Sequence, residues 1–440
     1  MSGYAARRDR LLAQFAARGE GAVGLGKQTS NLFRDRSAGA TRRLDVREFD
    51  HVLGVGPGWV EAEGMTTYET LAAATLAHDS MPAVVPQLKT ITLGGAVAGV
   101  GIEATSFRHG LVHESVLELD VLTGEGTIVT CTPDNEHRDL FRGFPNSYGT
   151  LGYALRVKAK TLPVLPYVAV EHRRYVDGET YFRELGSLAR SDADFLDGVV
   201  FGAGECYASI GRFRESAPRA SDYTYEHVYY RSIRERGSDF LTASGYLWRW
   251  DTDWFWCSKN LGAQNPLVRR LLGRARLNSR TYTRIMRWNS RWGLTRRLDG
   301  LLGRHPESVI QDVDIPIEHA AQFLDFLLRE IRVLPIWICP IGTGPARFDL
   351  YPLEPGRLYI NFGFWDVVRT REPYPEGHFN RLIEAKAEAL KGVKSLYSDS
   401  YYSPEAFWRT FDRAAYARLK ARYDPQGALG DLYQKCVLRR

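Results

Sequence analysis

Long apolar runs are missing from this chain. Nowhere in its 440 residues do 18 or so apolar residues follow one another, the length that a membrane-spanning helix needs. The first twenty residues, Met1 to Glu20, mix Arg, Asp and Ala and offer no apolar core for a secretory signal. Cysteine is scarce: Cys131, Cys206, Cys257, Cys339 and Cys436 are scattered, odd in number and form no CxxC pair. That argues against a disulfide framework and a structural zinc site, and it suits a reducing compartment. Internal repeats and low-complexity tracts are lacking as well. The expectation from these absences is a cytoplasmic protein, peripheral at most on the inner face of a membrane.

What is present describes an ordinary globular chain, 44% hydrophobic and 25% charged. Its length exceeds what one core usually serves, so two domains are expected. The net charge of +6 sits in one place. Eleven Arg and a single acid, Asp299, lie between Arg269 and Arg304, and the rest of the chain is net acidic. Arg280, Arg284, Arg287 and Arg291 fall at helical spacing, with Ile285, Trp288 and Trp292 as a neighbouring apolar stripe. Two readings stay open: contact of residues 267–304 with an anionic membrane, or a solvated Arg face over core tryptophans. Nucleic acid is set aside, because no nucleic-acid module surrounds the segment.

Along the chain, residues 5–18 read as a short helix. DHVLGV and WVEAEG read as strands joined by a turn at Gly54-Val55-Gly56-Pro57-Gly58, which lacks the following helix of a dinucleotide fingerprint. Thr66 with Glu69 reads as a capping box opening a helix to His78. SVLELDVLTGEGTIVTC alternates as a hairpin does. WICPI and RLYINFGFW read as buried strands, and HAAQFLDFLLREI and HFNRLIEAKAEALKG as helices. Asp399, Tyr401 and Tyr402 read as part of a strand, with Tyr401 on the face of Asp399. SPEAFWRTFDRAAYARLKARYD reads as one long helix capped by Ser403, with Pro404 at its first position.

Three donor-rich loops carry the chemistry. The first is Lys27, Gln28, Thr29, Ser30 and Asn31. The second runs from Pro86 through Thr90, Thr92, Leu93, Gly94, Gly95, Ala96, Val97, Gly99, Gly101 and Ile102 to Ser106. The third is Gly149-Thr150-Leu151-Gly152, just before a strand, with Asn146, Ser147 and Tyr148 ahead of it. Bare backbone lets a phosphate approach, and successive N–H groups can form an anion nest. Tight turns between strands remain the alternative for each loop.

Thr92-Leu93-Gly94-Gly95-Ala96 and Gly149-Thr150-Leu151-Gly152 resemble the FAD-linked oxidoreductases of the vanillyl-alcohol-oxidase type. In that family the first motif wraps the FAD pyrophosphate and the second lies against the cofactor. The resemblance implies an α+β fold: a two-subdomain PCMH-type FAD-binding domain (1–165), an antiparallel-sheet substrate (cap) domain (166–395), and a C-terminal strand and helix (396–440) returning to the first. Gly26-Lys27-Gln28-Thr29-Ser30-Asn31 departs from the family's Arg-Gly-x-Gly-His loop, so a dissociable FAD is expected. Within the family, TLGGAVAGVGIEATSFRHGL and SLYSDSYYSPEAFWRTFDRAAYARLKARY resemble the Δ24-sterol reductases. VPQLKTITLGGAV, TSFRHGL and FPNSYGTLGY are closer still to bacterial reductases of 10-methylene fatty acyl chains.

The resemblance implies reduction of an isolated alkene in a lipid, a phospholipid-bound acyl chain or a sterol, with NADPH as hydride source. A methyltransferase of the same pathway would be a partner. Such an alkene needs an acid as well as a hydride. Candidate acids are Glu103, His109, His113, Asp399, Tyr401 and Tyr402. His109 and His113, four residues apart with no third ligand, do not make a metal site, and none is expected. An alcohol or hydroxy-acid oxidase on the same fold, a flavin-binding subunit without turnover, and a scaffold without cofactor remain as alternatives.

Overall fold

A computed structural model describes residues 3–17, 19, 21–27, 33–34, 42–225, 227–292 and 299–440. Three sheets organise the described residues. A small parallel pair joins β1 (Val23–Gly26) to β2 (Arg42–Asp45). A six-stranded antiparallel sheet holds β3 (Val52–Gly56), β4 (Trp59–Glu63), β5 (Ser80–Pro82), β6 (Val116–Leu122), β7 (Ile128–Cys131) and β8 (Tyr153–Pro163). The longest of these, β8, pairs with β4, β6 and β5. Both expected hairpins form, β3–β4 around Pro57-Gly58 and β6–β7 around Gly124–Gly126. Arg156 on β8 ties the strands together by ion pairs with Glu61, Glu118 and Asp120.

The second large sheet has eight strands, all antiparallel. They are β9 (Tyr167–Tyr175), β10 (Phe195–Gly202), β11 (Glu205–Arg214), β12 (Ser238–Thr242), β13 (His305–Pro316), β14 (Ile336–Gly342), β15 (Leu358–Thr370) and β16 (Val393–Lys394), in the order β12-β9-β11-β10-β14-β15-β13-β16. Alternation along the strands separates two faces. Leu196, Val200, Val313, Ile338, Ile360 and Phe362 pack in one core with Phe182, Phe323 and Ile383 of three covering helices. Phe195, Val199, Trp337, Cys339 and Ile341 join a different core, shared with the six-stranded sheet and its helices. The second sheet therefore turns one face toward the first domain, and the glycine segment runs along that junction. Leu196 donates its N–H to the Ala104 carbonyl there (2.8 Å).

Three local expectations change. The helix Tyr68–Leu76 is capped by Thr67, whose side chain accepts from the Thr70 N–H. Thr66 instead donates to the His51 carbonyl. The single C-terminal helix is two, Pro404–Thr410 and Arg413–Tyr423. Phe411 between them is extended and buried, and Asp412 caps the second helix by accepting from Ala415, so a local side-chain bond outcompetes helix continuation. Ser403 and Pro404 hold the expected N-terminal positions. Asp399 to Tyr402 are coil and not strand, because β16 ends at Lys394 and Ser398 pairs only through an isolated bridge to Phe33.

The C-terminal residues bond to β1 and to loops of the six-stranded sheet. Gly124 donates to Tyr423, Val23 donates to Ala428, and Lys420 and Lys435 donate to the carbonyls of Thr150 and Tyr148.

Candidate functional site

The glycine segment is anchored before it can bind anything. Leu93 and Gly94 donate to the carbonyls of Thr66 and Gly64 (both 2.9 Å), and Gly95 and Ala96 donate to Thr92. These four N–H groups are not free to cradle a phosphate, which corrects the anion-nest expectation at this turn. Its glycines serve close packing instead. A Cβ on Gly94 would stand 2.9 Å from the Gly64 carbonyl, and one on Gly101 would stand 2.9 Å from Val112. At the third loop Gly149 and Gly152 have φ of +80° and +149°, and a Cβ on Gly152 would fall 2.3 Å from Val121. Thr150 bonds within its own turn to the Ser147 carbonyl (2.8 Å), and Leu151 is core. Pro86, Val97 and Ile102 line or join the same apolar packing, with Ser106 fully buried. Lys27 and Thr90 are each engaged in a contact, and Gln28, Thr29, Ser30 and Asn31 lie outside the described residues.

Around these loops buried polar atoms collect without hydrogen-bond partners among the described residues: both amide atoms of Gln87, Asn146 Oδ1, Ser147 Oγ, Ser398 Oγ and Arg34 Nε. Buried polar groups are nearly always satisfied, so such a collection marks a place where another molecule supplies the bonds. All but Gln87 are tied together by contacts. Arg34 stands over the Tyr148 ring at 5.4 Å and donates to the Leu396 carbonyl and to Cys436 Sγ. Phe33, beside Arg34, bridges to Ser398. Asn146 and Tyr148 both have positive φ, a backbone strain that accumulates at functional sites. Arg34 is buried, and no carboxylate among the described residues is bonded to it, so it retains charge for an anionic or electron-rich ligand.

An aromatic wall faces this polar collection. Phe255 stacks on Trp365 (4.3 Å) and Trp250 (4.9 Å), Trp337 packs edge-on to Phe255, and Phe33 lies against Trp254 and Tyr397. Trp254 and Phe255 have positive φ in succession. The wall suits an apolar chain and the face of a flat ring.

The candidate acids are placed differently from one another. Glu103 is buried at the junction. Arg249, 1% exposed, links it to Asp197 of β10 at 3.1 and 2.8 Å. Trp337 also donates to Asp197 (3.2 Å). Two carboxyls share one guanidinium in this dry pocket, and Glu103 Oε2 has no partner. Burial, then the charge of Asp197 against the pull of Arg249, leaves the Glu103 carboxyl pushed up to about 7. His113 is fully buried against Phe348 (4.3 Å), and burial lowers it to about 3, so it is neutral at ordinary pH. His109 ends a short helix and is also lowered, by burial and by Arg108.

Asp399 pairs with Arg439 at 3.5 Å, and the Tyr401 hydroxyl accepts from the same arginine (2.8 Å). Tyr402 packs on Phe407 and Phe411. The structure does not bring these three to the glycine segment's junction with Glu103. Among the described residues no group of three or more His, Cys, Asp or Glu could hold a metal, and all five cysteines are free.

Several residues of the site were not among those singled out from the sequence: Arg34, Gln87, Arg249, Asp312, Asp314 and Tyr397. Asp312 and Asp314 carried one signal, two acids two apart in an otherwise apolar strand, QDVDIPI.

Comparisons with known proteins agree with this architecture. Residues 10–132 match the model of the FAD-binding domain FAD_binding_4. The chain is 25% identical to the Delta(24)-sterol reductase of Homo sapiens over 407 residues, which covers 89% of this chain and 76% of that one. It is 24% identical to the Delta(24)-sterol reductase of Arabidopsis thaliana over 443 residues, with the same coverage. Cytokinin dehydrogenase 6 of Oryza sativa subsp. japonica is 33% identical over 192 residues, 42% of this chain and 36% of that one. The fold is α+β of the PCMH type, and the chain carries an FAD-binding domain.

The residues present fit FAD. The unpartnered atoms of Gln87, Asn146, Ser147, Ser398 and Arg34 supply donors and acceptors for an extended polar cofactor. The aromatic wall supplies an apolar border for its ring.

Proposed function

We propose that the chain is an FAD-dependent oxidoreductase that reduces an isolated carbon–carbon double bond in a lipid, with NADPH as the source of electrons. The preferred substrate is a 10-methylene acyl chain, and a Δ24-type sterol alkene is the variant to test beside it. The carrying observation is a set of buried polar atoms without partners among the described residues, beside stacked aromatic rings and buried carboxyls raised toward neutral pH. When bound, FAD supplies the hydride. The chain's own residues exclude water, hold the alkyl chain against Trp365 and Phe255, and keep a proton ready. Aromatic faces beside a developing tertiary cation stabilise it. The likeness to Delta(24)-sterol reductases supports the lipid alkene as substrate class.

The test is an anaerobic spectrum of the FAD-loaded protein. NADPH is expected to bleach it, and a 10-methylene phospholipid or a Δ24 sterol to restore the yellow form. Bleaching by an alcohol and recovery only with oxygen would assign an oxidase instead. A spectrum that neither NADPH nor any of these substrates changes would make it a flavin carrier.

A second proposal concerns the Arg-rich segment, read here as a contact with an anionic bilayer. Among the described residues, seven of the thirteen exposed large apolar side chains lie within 267–302, Leu271, Trp288 and Leu301 among them. No helix among the described residues is long and apolar enough to cross a membrane.

A further inference from the structure

Strand β13 places Asp312 and Asp314 two residues apart, so both side chains leave the sheet face turned toward the glycine segment. Asp314 is fully engaged. Its Oδ2 accepts from the Tyr351 hydroxyl (2.6 Å) and its Oδ1 from Asn361 Nδ2 (2.7 Å). Asp312 is held more loosely. Tyr397 and Asn361 lie within hydrogen-bonding reach of its carboxyl, while its Oδ1 and the Asn361 Oδ1 are buried without a partner among the described residues. Asp312 is only partly buried as a residue, although protein surrounds its carboxyl. Opposite it on β15 stands Gly363, where a Cβ would lie 2.8 Å from Asp312 Oδ1 and 2.9 Å from the Trp365 ring. The Tyr397 hydroxyl accepts from Trp365 Nε1 (3.1 Å) and is within hydrogen-bonding reach of the Asp312 carboxyl.

We infer that Asp312 is the acid that delivers a proton to the substrate alkene, with Tyr397 orienting its carboxyl and Asp314 keeping one proton on the pair. The inference deepens the reduction reading and rests on it. The ionisable groups facing Asp312 are Asp314 on its own strand, Tyr351 from the turn before β15, Tyr148 from the third loop, and Tyr397 from the segment after β16. All are acids, and the Arg34 guanidinium stands over the Tyr148 ring. Burial and the charge of Asp314 accordingly push Asp312 up to about 7, and burial pushes Asp314 up to about 6.

The step balances. The Asp312 O–H bond breaks as the alkene's π pair forms a C–H bond at the less substituted carbon. Positive charge would fall on the tertiary carbon, where FAD, when bound and reduced, would supply the hydride. Asp312 is left as carboxylate and regains a proton from solvent before the next turnover.

The experiment compares wild type, Asp312→Asn and Asp314→Asn, each loaded with FAD. Flavin content and bleaching by dithionite are expected to stay the same. Reoxidation by the 10-methylene phospholipid should fall about 10²- to 10⁴-fold in D312N. In wild type its rate should fall as pH rises through about 7. In D314N that limb should move to lower pH, because a negative neighbour has been removed.

A second readout needs no turnover. A tertiary-ammonium lipid, with nitrogen in place of the branched carbon, is titrated by tryptophan quenching. Wild type should bind it more tightly as pH rises from 6 to 8 and Asp312 ionises, and D312N should bind more weakly and without pH dependence. D312N reoxidised at the wild-type rate and binding the ammonium equally well overturns the assignment. If no alkene reoxidises wild type while ammonium binding still depends on Asp312, the reduction reading fails and the placement of this carboxyl survives. Should D312N not fold, the pH dependence of ammonium binding to wild type decides alone.

Discussion

Arg249 holds a full charge where water does not reach, between Glu103 of the first domain and Asp197 of the second sheet. Burial, more than Arg249 can offset, pushes the Glu103 carboxyl up to about 7. The sign of the pH effect follows. Glu103 has an ordinary value of 4.5 unfolded and about 7 folded. Its contribution to stability is complete below about pH 4.5 and is lost as pH rises through 7. Asp312 and Asp314 act in the same direction, whereas His113 and His172, both lowered by burial, cost stability as pH falls below 6.5. Comparing wild type with Glu103→Gln isolates the one group. The stability difference between them, from urea unfolding, is expected to shift in favour of wild type by about 2 kcal/mol as pH falls from 8 to 5. A difference that does not change with pH would show that Glu103 is ionised throughout. Glu103 stood out in the sequence, but its partners did not, because Asp197 and Arg249 lie 94 and 146 residues away and only sheet pairing brings them together. The same holds for Asp312, whose neighbours come from β15, the turn before it and the segment after β16.

Elements were more legible than sites, because hydrophobic period and turn chemistry act locally. The two hairpins of the six-stranded sheet follow from alternation and from glycine and proline turns, and the buried strands β14 and β15 from short apolar runs. The errors arose where a short polar side chain competed with the longer pattern: Thr67 caps in place of Thr66, and Asp412 divides the last helix. The Arg-rich helix Ser279–Trp292 shows what pattern alone leaves open. Its residues Ser279 and Tyr282 are buried, and Arg280, Arg284, Ile285, Met286 and Trp288 are exposed. The cationic and apolar exposed stripes therefore adjoin, the arrangement of helices that lie in a membrane interface. Wild type is expected to co-sediment with phosphatidylglycerol vesicles at 50 mM salt and to release as salt approaches about 500 mM, where screening is strong. The double change Ile285→Ser and Trp288→Ser should weaken binding about tenfold and leave the melting temperature within a degree or two, since both side chains are exposed. Absence of binding by wild type at low salt would return this helix to an ordinary solvated face.

At the scale of the whole molecule, the polar pocket is built from parts that are far apart in sequence. Arg34 precedes the six-stranded sheet, Gln87 opens the glycine segment, Asn146 and Ser147 precede β8, and Ser398 follows the second sheet. Five sets of buried atoms without partners are a standing cost, of order 1–3 kcal/mol for each unsatisfied group. A cofactor that satisfies them must then stabilise both sheets and the C-terminal return at once. FAD added at about 100 times its dissociation constant is expected to raise stability by about 2.7 kcal/mol. It should move the thermal midpoint up by a few degrees while unfolding stays a single transition, followed by far-ultraviolet circular dichroism and flavin fluorescence together. Arg34→Met should lower FAD affinity and shrink that shift, because its guanidinium, bonded to no carboxylate among the described residues, is the cation proposed to meet the ligand. Coincident loss of flavin and secondary structure would show one cooperative unit closed by the cofactor. A shift confined to an early transition, with the eight-stranded sheet melting later at an unchanged temperature, would mean that FAD is held by the first domain alone. A midpoint indifferent to FAD would remove the cofactor from this pocket.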